Sequence, residues 1–221
     1  MRQTRFHLLV CLSLAGAAPA HAQVMKGEVY TGLGFPGLMV GYAHAVDALV
    51  TARVDYASMG GRSRDGFEEG INYRGRARFA RVGLFADYFP WNNGFRVTGG
   101  LTVNQMKVDL RADLQPGDTI TVGDSTVTVP GSGYRFNVTV KVPPVTPYLG
   151  IGWGHHRREP GWGVIADLGA SIGRAQVDID TNLTEAGVSQ ADIDRETREL
   201  KDGVGKIRLV PQATLGISYR Y

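Results

Sequence analysis

Apolar and polar positions alternate along most of this chain, most clearly at its end, LVPQATLGISYRY. Every second residue back from the terminus is Tyr221, Tyr219, Ile217, Leu215, Ala213, Pro211 and Leu209. Between them lie Arg220, Ser218, Gly216, Thr214, Gln212 and Val210. A period of two marks a strand whose two faces meet different surroundings. The same pattern recurs upstream. Trp162, Val164, Ala166, Leu168, Ala170 and Ile172 alternate with Gly163, Ile165, Asp167, Gly169 and Ser171. Leu149, Ile151 and Trp153 alternate with Tyr148, Gly150 and Gly152. Phe95, Val97, Leu101 and Val103 oppose Arg96, Thr98, Gly100, Thr102 and Asn104. Ala80, Val82, Leu84, Ala86 and Tyr88 oppose Arg81, Gly83, Phe85 and Asp87. Val50, Ala52, Val54 and Tyr56 oppose Thr51, Arg53 and Asp55. GEVYTGLGF, with Glu28 and Tyr30 on its second face, is weaker, and LMVGYAHAV is small or apolar on both faces.

These eight candidate strands are joined by two kinds of connection. Tight links fall at VDA near Asp47, at Pro90–Gly94 and at Arg158–Gly161. Long polar ones fall at Gly60–Asn72, near Arg111–Val145 and near Asp178–Lys206. FPG at Phe35–Gly37 is short but belongs by order to the long side. Alternating tight and long links fit an all-β fold: an eight-stranded antiparallel up-and-down transmembrane β-barrel. Its periplasmic turns are short and its extracellular loops long, with a short helix in the last loop.

A soluble sandwich or lipocalin-like barrel also alternates, but buries its apolar face. The other face decides between the two. It collects Glu28, Asp55, Asp87 and Asp167 with Arg53, Arg81, Arg96 and Arg220, four charges of each sign. Charges enclosed in a narrow barrel must pair, because an isolated buried charge is expensive. Tyr88, Phe89, Trp91, Phe95, Trp153, Trp162, Tyr219 and Tyr221 cluster near the tight turns. That placement predicts an aromatic girdle at the periplasmic interface.

Residues 1–22 read as a secretory signal peptide. Arg2 and Arg5 precede an apolar run from Leu8 to Ala18, then Ala20-His21-Ala22. The run is shorter than the ~20 residues a spanning helix needs. Residues 23–221 then form a single barrel domain without cysteine, since Cys11 is lost with the leader. The full chain has 24 Lys and Arg against 21 Asp and Glu; loss of Arg2 and Arg5 leaves an excess of about +1. That balance gives no reason to expect a nucleic-acid partner.

The final strand with its terminal aromatic resembles the assembly signal of Gram-negative outer-membrane barrels. TPYLGIGWG, GWGVIADLGA and, after a charged helical loop, VPQATLGISYRY resemble a large family of small proteobacterial outer-membrane proteins. The resemblance runs from about Tyr30 onward. It implies an eight-stranded barrel of the OmpA, OmpX and OmpW kind, located in the outer membrane. It also implies that Tyr219 and Tyr221 are read by the barrel-assembly machinery, although phenylalanine is commoner at the last position. It names no ligand.

Four features are candidates for chemistry. The eight lumenal charges could line an ion path; in a barrel this narrow a packed structural plug is the stronger expectation. Arg74, Arg76 and Arg78 share parity with the lipid-facing residues but lie above them. Their guanidinium forks suit lipopolysaccharide phosphates, and the alternative is a solvated strand end. In the outer loops, short β-prone runs around Gly123-Asp124 predict a hairpin. SQADIDRETRELKDG predicts a helix capped by Ser189, with Asp192 in its first turn, stopping at Gly203. Asp194–Arg198 and Arg195–Glu199 are spaced as i,i+4 pairs. Asp178–Asp202 carries eight acidic and three basic residues. It is expected as a solvated cap rather than a cation or partner surface, because no metal-ligand spacing occurs. Catalysis would need a nucleophile and base. The three histidines after the leader, His44, His155 and His156, lie toward the periplasmic turns, and strand parity puts His155 and His156 on opposite faces. No catalytic, metal or cofactor residues are assigned.

The sequence therefore predicts a monomeric outer-membrane barrel with a structural or interaction role: envelope integrity, and contact of its outer loops with lipopolysaccharide or ligands. A narrow small-solute pore is the alternative, and a lipid A-modifying hydrolase a more distant one. The outer-membrane fraction should show a band that migrates differently before and after boiling, with a mature mass beginning at Gln23. A heat-invariant band or an intact leader would overturn this reading.

Overall fold

Each alternating segment forms a strand in the computed structural model, which describes residues 27–68, 71–156, 159–204, 206 and 208–221. The predicted leader and Arg158 of one tight turn lie outside the described residues. In chain order the elements are β1 (Gly27–Phe35), β2 (Gly37–Ala45), β3 (Val50–Glu68), β4 (Ile71–Tyr88) and β5 (Phe95–Asn104). Then come β6 (Lys107–Leu114), β7 (Thr119–Val122), β8 (Ser125–Thr128), β9 (Tyr134–Lys141) and β10 (Val145–Trp153). The chain ends with β11 (Gly161–Ile172), β12 (Gln176–Thr181), α1 (Gln190–Val204) and β13 (Leu209–Arg220).

Eight of these strands close a ring. β1 pairs with β2, β2 with β3, β3 with β4 and β4 with β5. β5 continues to β10, β10 to β11, β11 to β13, and β13 returns to β1. All pairings are antiparallel. A ring of this kind has no open edge, so it suits a solvent that offers the backbone no hydrogen bonds.

The two faces divide as the alternation predicts. Val29, Leu33, Val54, Leu84, Leu101, Leu149, Leu168 and Leu215 are exposed on the outside. The charged set points inward. The girdle residues Tyr88, Trp91, Trp153, Trp162, Tyr219 and Tyr221 are exposed near the end that carries Gly27 and Tyr221. Phe89 departs from this: it is buried and packs on His156, with ring centroids 4.7 Å apart. It lies one residue past β4 and keeps the odd parity of Asp87, which turns it inward.

The three long connections are more ordered than their polarity suggests. β3 has 19 residues and β4 has 18, roughly twice the ~9–11 needed to span a bilayer. Their outer halves pair from Gly60↔Phe79 to Glu68↔Ile71, in the stretch expected as a loop. A bulge at Met59, with Gly60 at φ +73°, separates the two halves. Above the barrel β4 exchanges its neighbour β5 for β6, and β6 pairs with β9, which pairs with β12. β6, β9 and β12 thus continue the wall of β5, β10 and β11 upward. On the opposite side β1 and β2 join through a tight Pro36 turn. The rim is tall on one side and low on the other.

The tall wall carries its own small core. Ala112, Leu114, Ile120, Val122, Val129, Leu183, Val188 and Ile193 are buried together, with Tyr73, Tyr134 and Phe136 against them. The β7–β8 hairpin turns at Gly123-Asp124, as predicted, with Gly123 at φ +59°. It docks on α1: Ser125 Oγ donates to Asp192 Oδ2 at 2.7 Å and the Gly123 N–H to Glu196 at 3.2 Å. Ser189 caps the helix, its Oγ accepting the Asp192 N–H at 3.1 Å. Arg195 pairs with Asp124 on the hairpin, a partner outside its own helix. The helix runs one residue past Gly203.

Inward glycines make room for the large lumenal rings. A Cβ on Gly41 would collide with Tyr30, on Gly83 or Gly100 with Phe85, and on Gly169 with Tyr148. Gly41→Val should therefore lower stability by about 1–3 kcal/mol through overpacking. Heat-modifiable migration should convert to the unfolded band at lower temperature, whereas Gly61→Val, where nothing lies within 4 Å, should not shift it.

Candidate functional site

The lumen is filled in three layers. At the periplasmic end Glu28 on β1 and Arg220 on β13 are direct register partners. Arg220 Nη2 donates to Glu28 Oε2 at 3.0 Å and to the His155 carbonyl at 3.2 Å. His155 Nδ1 lies 2.9 Å from Glu28 Oε1, and its ring meets Tyr30 edge-on at 4.6 Å. No local pattern in the chain marks this role for His155. Strand parity fails there because Gly154 (φ +100°) and His155 (φ +61°) are both left-handed, and the turn swings the imidazole inward. His156 also lines the periplasmic mouth rather than the opposite face.

The middle layer is ionic. Arg53 Nε is 2.5 Å from Asp87, and Arg53 Nη2 3.3 Å from Asp167. Arg96 Nη2 is 2.8 Å from Asp167, and its Nε 3.3 Å from Asp87. Thr98 donates to Asp87 at 2.7 Å. One step higher Arg81 pairs with Asp55, and the Tyr30 hydroxyl donates to Asp55 at 3.3 Å. The Arg53 and Arg81 guanidinium carbons lie 5.1 and 5.3 Å from the Phe85 ring centre, close enough for cation–π attraction. Arg96 and Asp87 have no exposed side-chain surface. All eight charges named from the sequence lie in the lumen, as the Glu28–Arg220 pair, the Arg53–Asp87–Arg96–Asp167 cluster and the Arg81–Asp55 pair.

The outer layer is neutral. Thr102 Oγ1 lies 2.7 Å from Thr146 and 2.9 Å from Ser171. Asn104 donates to Thr146 at 2.9 Å and Gln212 to Ser171 at 2.7 Å. The void among Arg53, Asp55, Arg81, Phe85, Tyr148 and Asp167 is about 10 Å³, room for one water at most.

Above the membrane belt, Arg74, Arg76 and Arg78 are exposed on the convex face of the tall wall. They stand on one strand, and only Arg74 meets an acid, Asp65 at 3.3 Å, among the described residues. β6 adds Lys107 opposite Arg78 and Arg111 opposite Arg74, and β9 adds Lys141 opposite Lys107. The sequence could not align these lysines with Arg78, because β6 and β9 fell in an expected loop. Lys107 reaches Asp109 at 2.7 Å and Lys141 reaches Asp178 at 2.5 Å. The Lys141 hydrogen bond and charge hold the Asp178 carboxyl below its ordinary value. On α1 the Ser189 and Ser125 hydroxyls do the same for Asp192. Among the described residues no cluster of His, Cys, Asp and Glu could hold a metal ion.

An apolar exterior, a closed backbone ring and a charged, packed interior define a class: a small transmembrane β-barrel of outer-membrane type. Solved structures share the fold. Acinetobacter baumannii CarO is 18% identical, with a TM-score of 0.55, over 91% of this chain and 100% of that one. Acinetobacter baumannii CarO2 is 15% identical, with a TM-score of 0.56, over 90% and 100%. No family model and no curated protein matches the chain.

Asp87→Asn should cost about 3–5 kcal/mol, because it leaves Arg53 and Arg96 buried with too little countercharge. Urea unfolding in detergent micelles checks this. Arg74→Gln, at an exposed pair, should cost at most ~1 kcal/mol.

Proposed function

We propose that the protein is a monomeric, non-conducting barrel of the Gram-negative outer membrane. It anchors an extracellular sheet and touches lipopolysaccharide with that sheet's basic face. The observation that carries this reading is the lumen: three hydrogen-bonded layers of side chains fill it, and the void in the ionic layer is about 10 Å³. A narrow pore would need the Arg53–Asp87–Arg96–Asp167 cluster to separate, and each ion would then be left in a low-dielectric interior. The role is therefore structural and interactive, serving envelope integrity and contact with external ligands. Tyr219 on β13 and Tyr221 just past it, both exposed, serve as the signal for the barrel-assembly machinery. A lipid A hydrolase reading gains no support, because His155 and His156 sit at the periplasmic end, away from the outer leaflet.

Two measurements test the proposal. Purified folded protein should give no reproducible conductance in planar bilayers; steps that pass sugars would overturn the sealed-lumen reading. Lipopolysaccharide should co-purify with the native protein from outer membranes. Its absence would overturn the lipid-contact reading.

A further inference from the structure

We infer that Arg78, Lys107 and Lys141 form the docking row for a phosphate of a lipopolysaccharide headgroup; this deepens the lipid-contact reading above and rests on it. The argument begins with register. Arg78 lies opposite Lys107, and Lys107 opposite Lys141, so three cations stand abreast on one face. Directly opposed residues have Cβ atoms about 4.5–5.5 Å apart, and like charges so placed repel. Asp109 and Asp178, one row higher, each take one lysine. Arg78 between β3 and β6 has no acidic partner among the described residues. Farther up the same face Arg76 lies opposite Asp109, and the Arg111 charge acts on that same carboxylate, so the row at Arg78 is the one without an acid abreast of it. Such a row is stabilised by an anion.

Height identifies the anion's source. Val82, Val103 and Val145 form the matching row in the barrel: Val82 lies opposite Val103, and Val103 opposite Val145. All three are exposed to the membrane side. On each of the three columns of the wall the cation sits four residues above the valine. Four residues of strand rise about 13 Å, or roughly 10 Å along the membrane normal at the usual barrel tilt. On β4 the girdle residue Tyr88 lies ten residues below Arg78, about the length of strand that crosses the hydrocarbon, so the row stands at its outer edge, where outer-leaflet headgroups carry phosphate. Arginine supplies a fork that grips two phosphate oxygens, and the lysines add mobile point charges on its flank. A phosphate monoester on a lipid anchor fits both the charge and the height.

The test uses the full mature chain, folded in neutral detergent, and follows its thermal unfolding midpoint by heat-modifiable migration. Lipopolysaccharide, enzymatically dephosphorylated lipopolysaccharide and inorganic phosphate are added separately. Native protein should be stabilised by intact lipopolysaccharide and not by the dephosphorylated form. Arg78→Gln, which leaves both lysine–aspartate pairs in place, should need roughly tenfold more lipopolysaccharide for half of the effect, the loss expected for one charge-assisted contact. The Arg78→Gln, Lys107→Gln, Lys141→Gln variant should lose the effect, and Arg74→Gln should keep it. Equal stabilisation of native and row variants would overturn the row and leave the lipid-contact reading standing. No stabilisation of the native protein would remove both. A full effect from dephosphorylated lipid or from inorganic phosphate would overturn the headgroup phosphate as the ligand.

Discussion

Hydrocarbon offers a peptide group nothing to bond with, so every N–H and C=O in the spanning zone must find its partner in the chain itself. That demand explains why β1 returns to β13, and why the charges have only one place to go. Once the sheet closes, one set of side chains meets lipid and the other is enclosed. The enclosed set must then satisfy itself within a bore only as wide as its own side chains. Balanced charge, shared carboxylates at Asp87 and Asp167, and rings lying over glycines are the means by which this bore is filled.

The zone above the membrane obeys a looser rule. Water on both sides removes the need for closure, and β4 is free to trade β5 for β6. Strand pairing persists there because the paired backbone and a compact apolar cluster under α1 suffice. The result is one tall side and one low side on a barrel whose spanning part is regular.

How much was legible in the sequence follows the same division. Wherever one face meets lipid and the other the lumen, alternation reads cleanly, and the eight spanning strands could be drawn from residues such as Leu215, Gly216, Ile217 and Ser218. The lumenal charges were legible for the same reason. Beyond the membrane the contrast between faces fades, so the Arg62-Ser63-Arg64-Asp65 stretch of β3 reads as loop although it is strand. The row that unites Arg78 with Lys107 and Lys141 was hidden, because register across strands far apart in sequence leaves no local trace. His155 was hidden by two consecutive left-handed residues that break the parity rule at a strand end. Phe89 reads as a girdle residue from its nearness to a turn, yet the parity it shares with Asp87 turns it inward.

The contact between Glu28 and Arg220 joins positions 192 residues apart. It brings β1 and β13, the first and last strands described, to a single carboxylate. Without Arg220 that carboxylate would keep only the His155 ring and the Ser218 hydroxyl as partners. The pairing that closes β1 on β13 is thus fastened by a buried ion pair as well as by backbone hydrogen bonds.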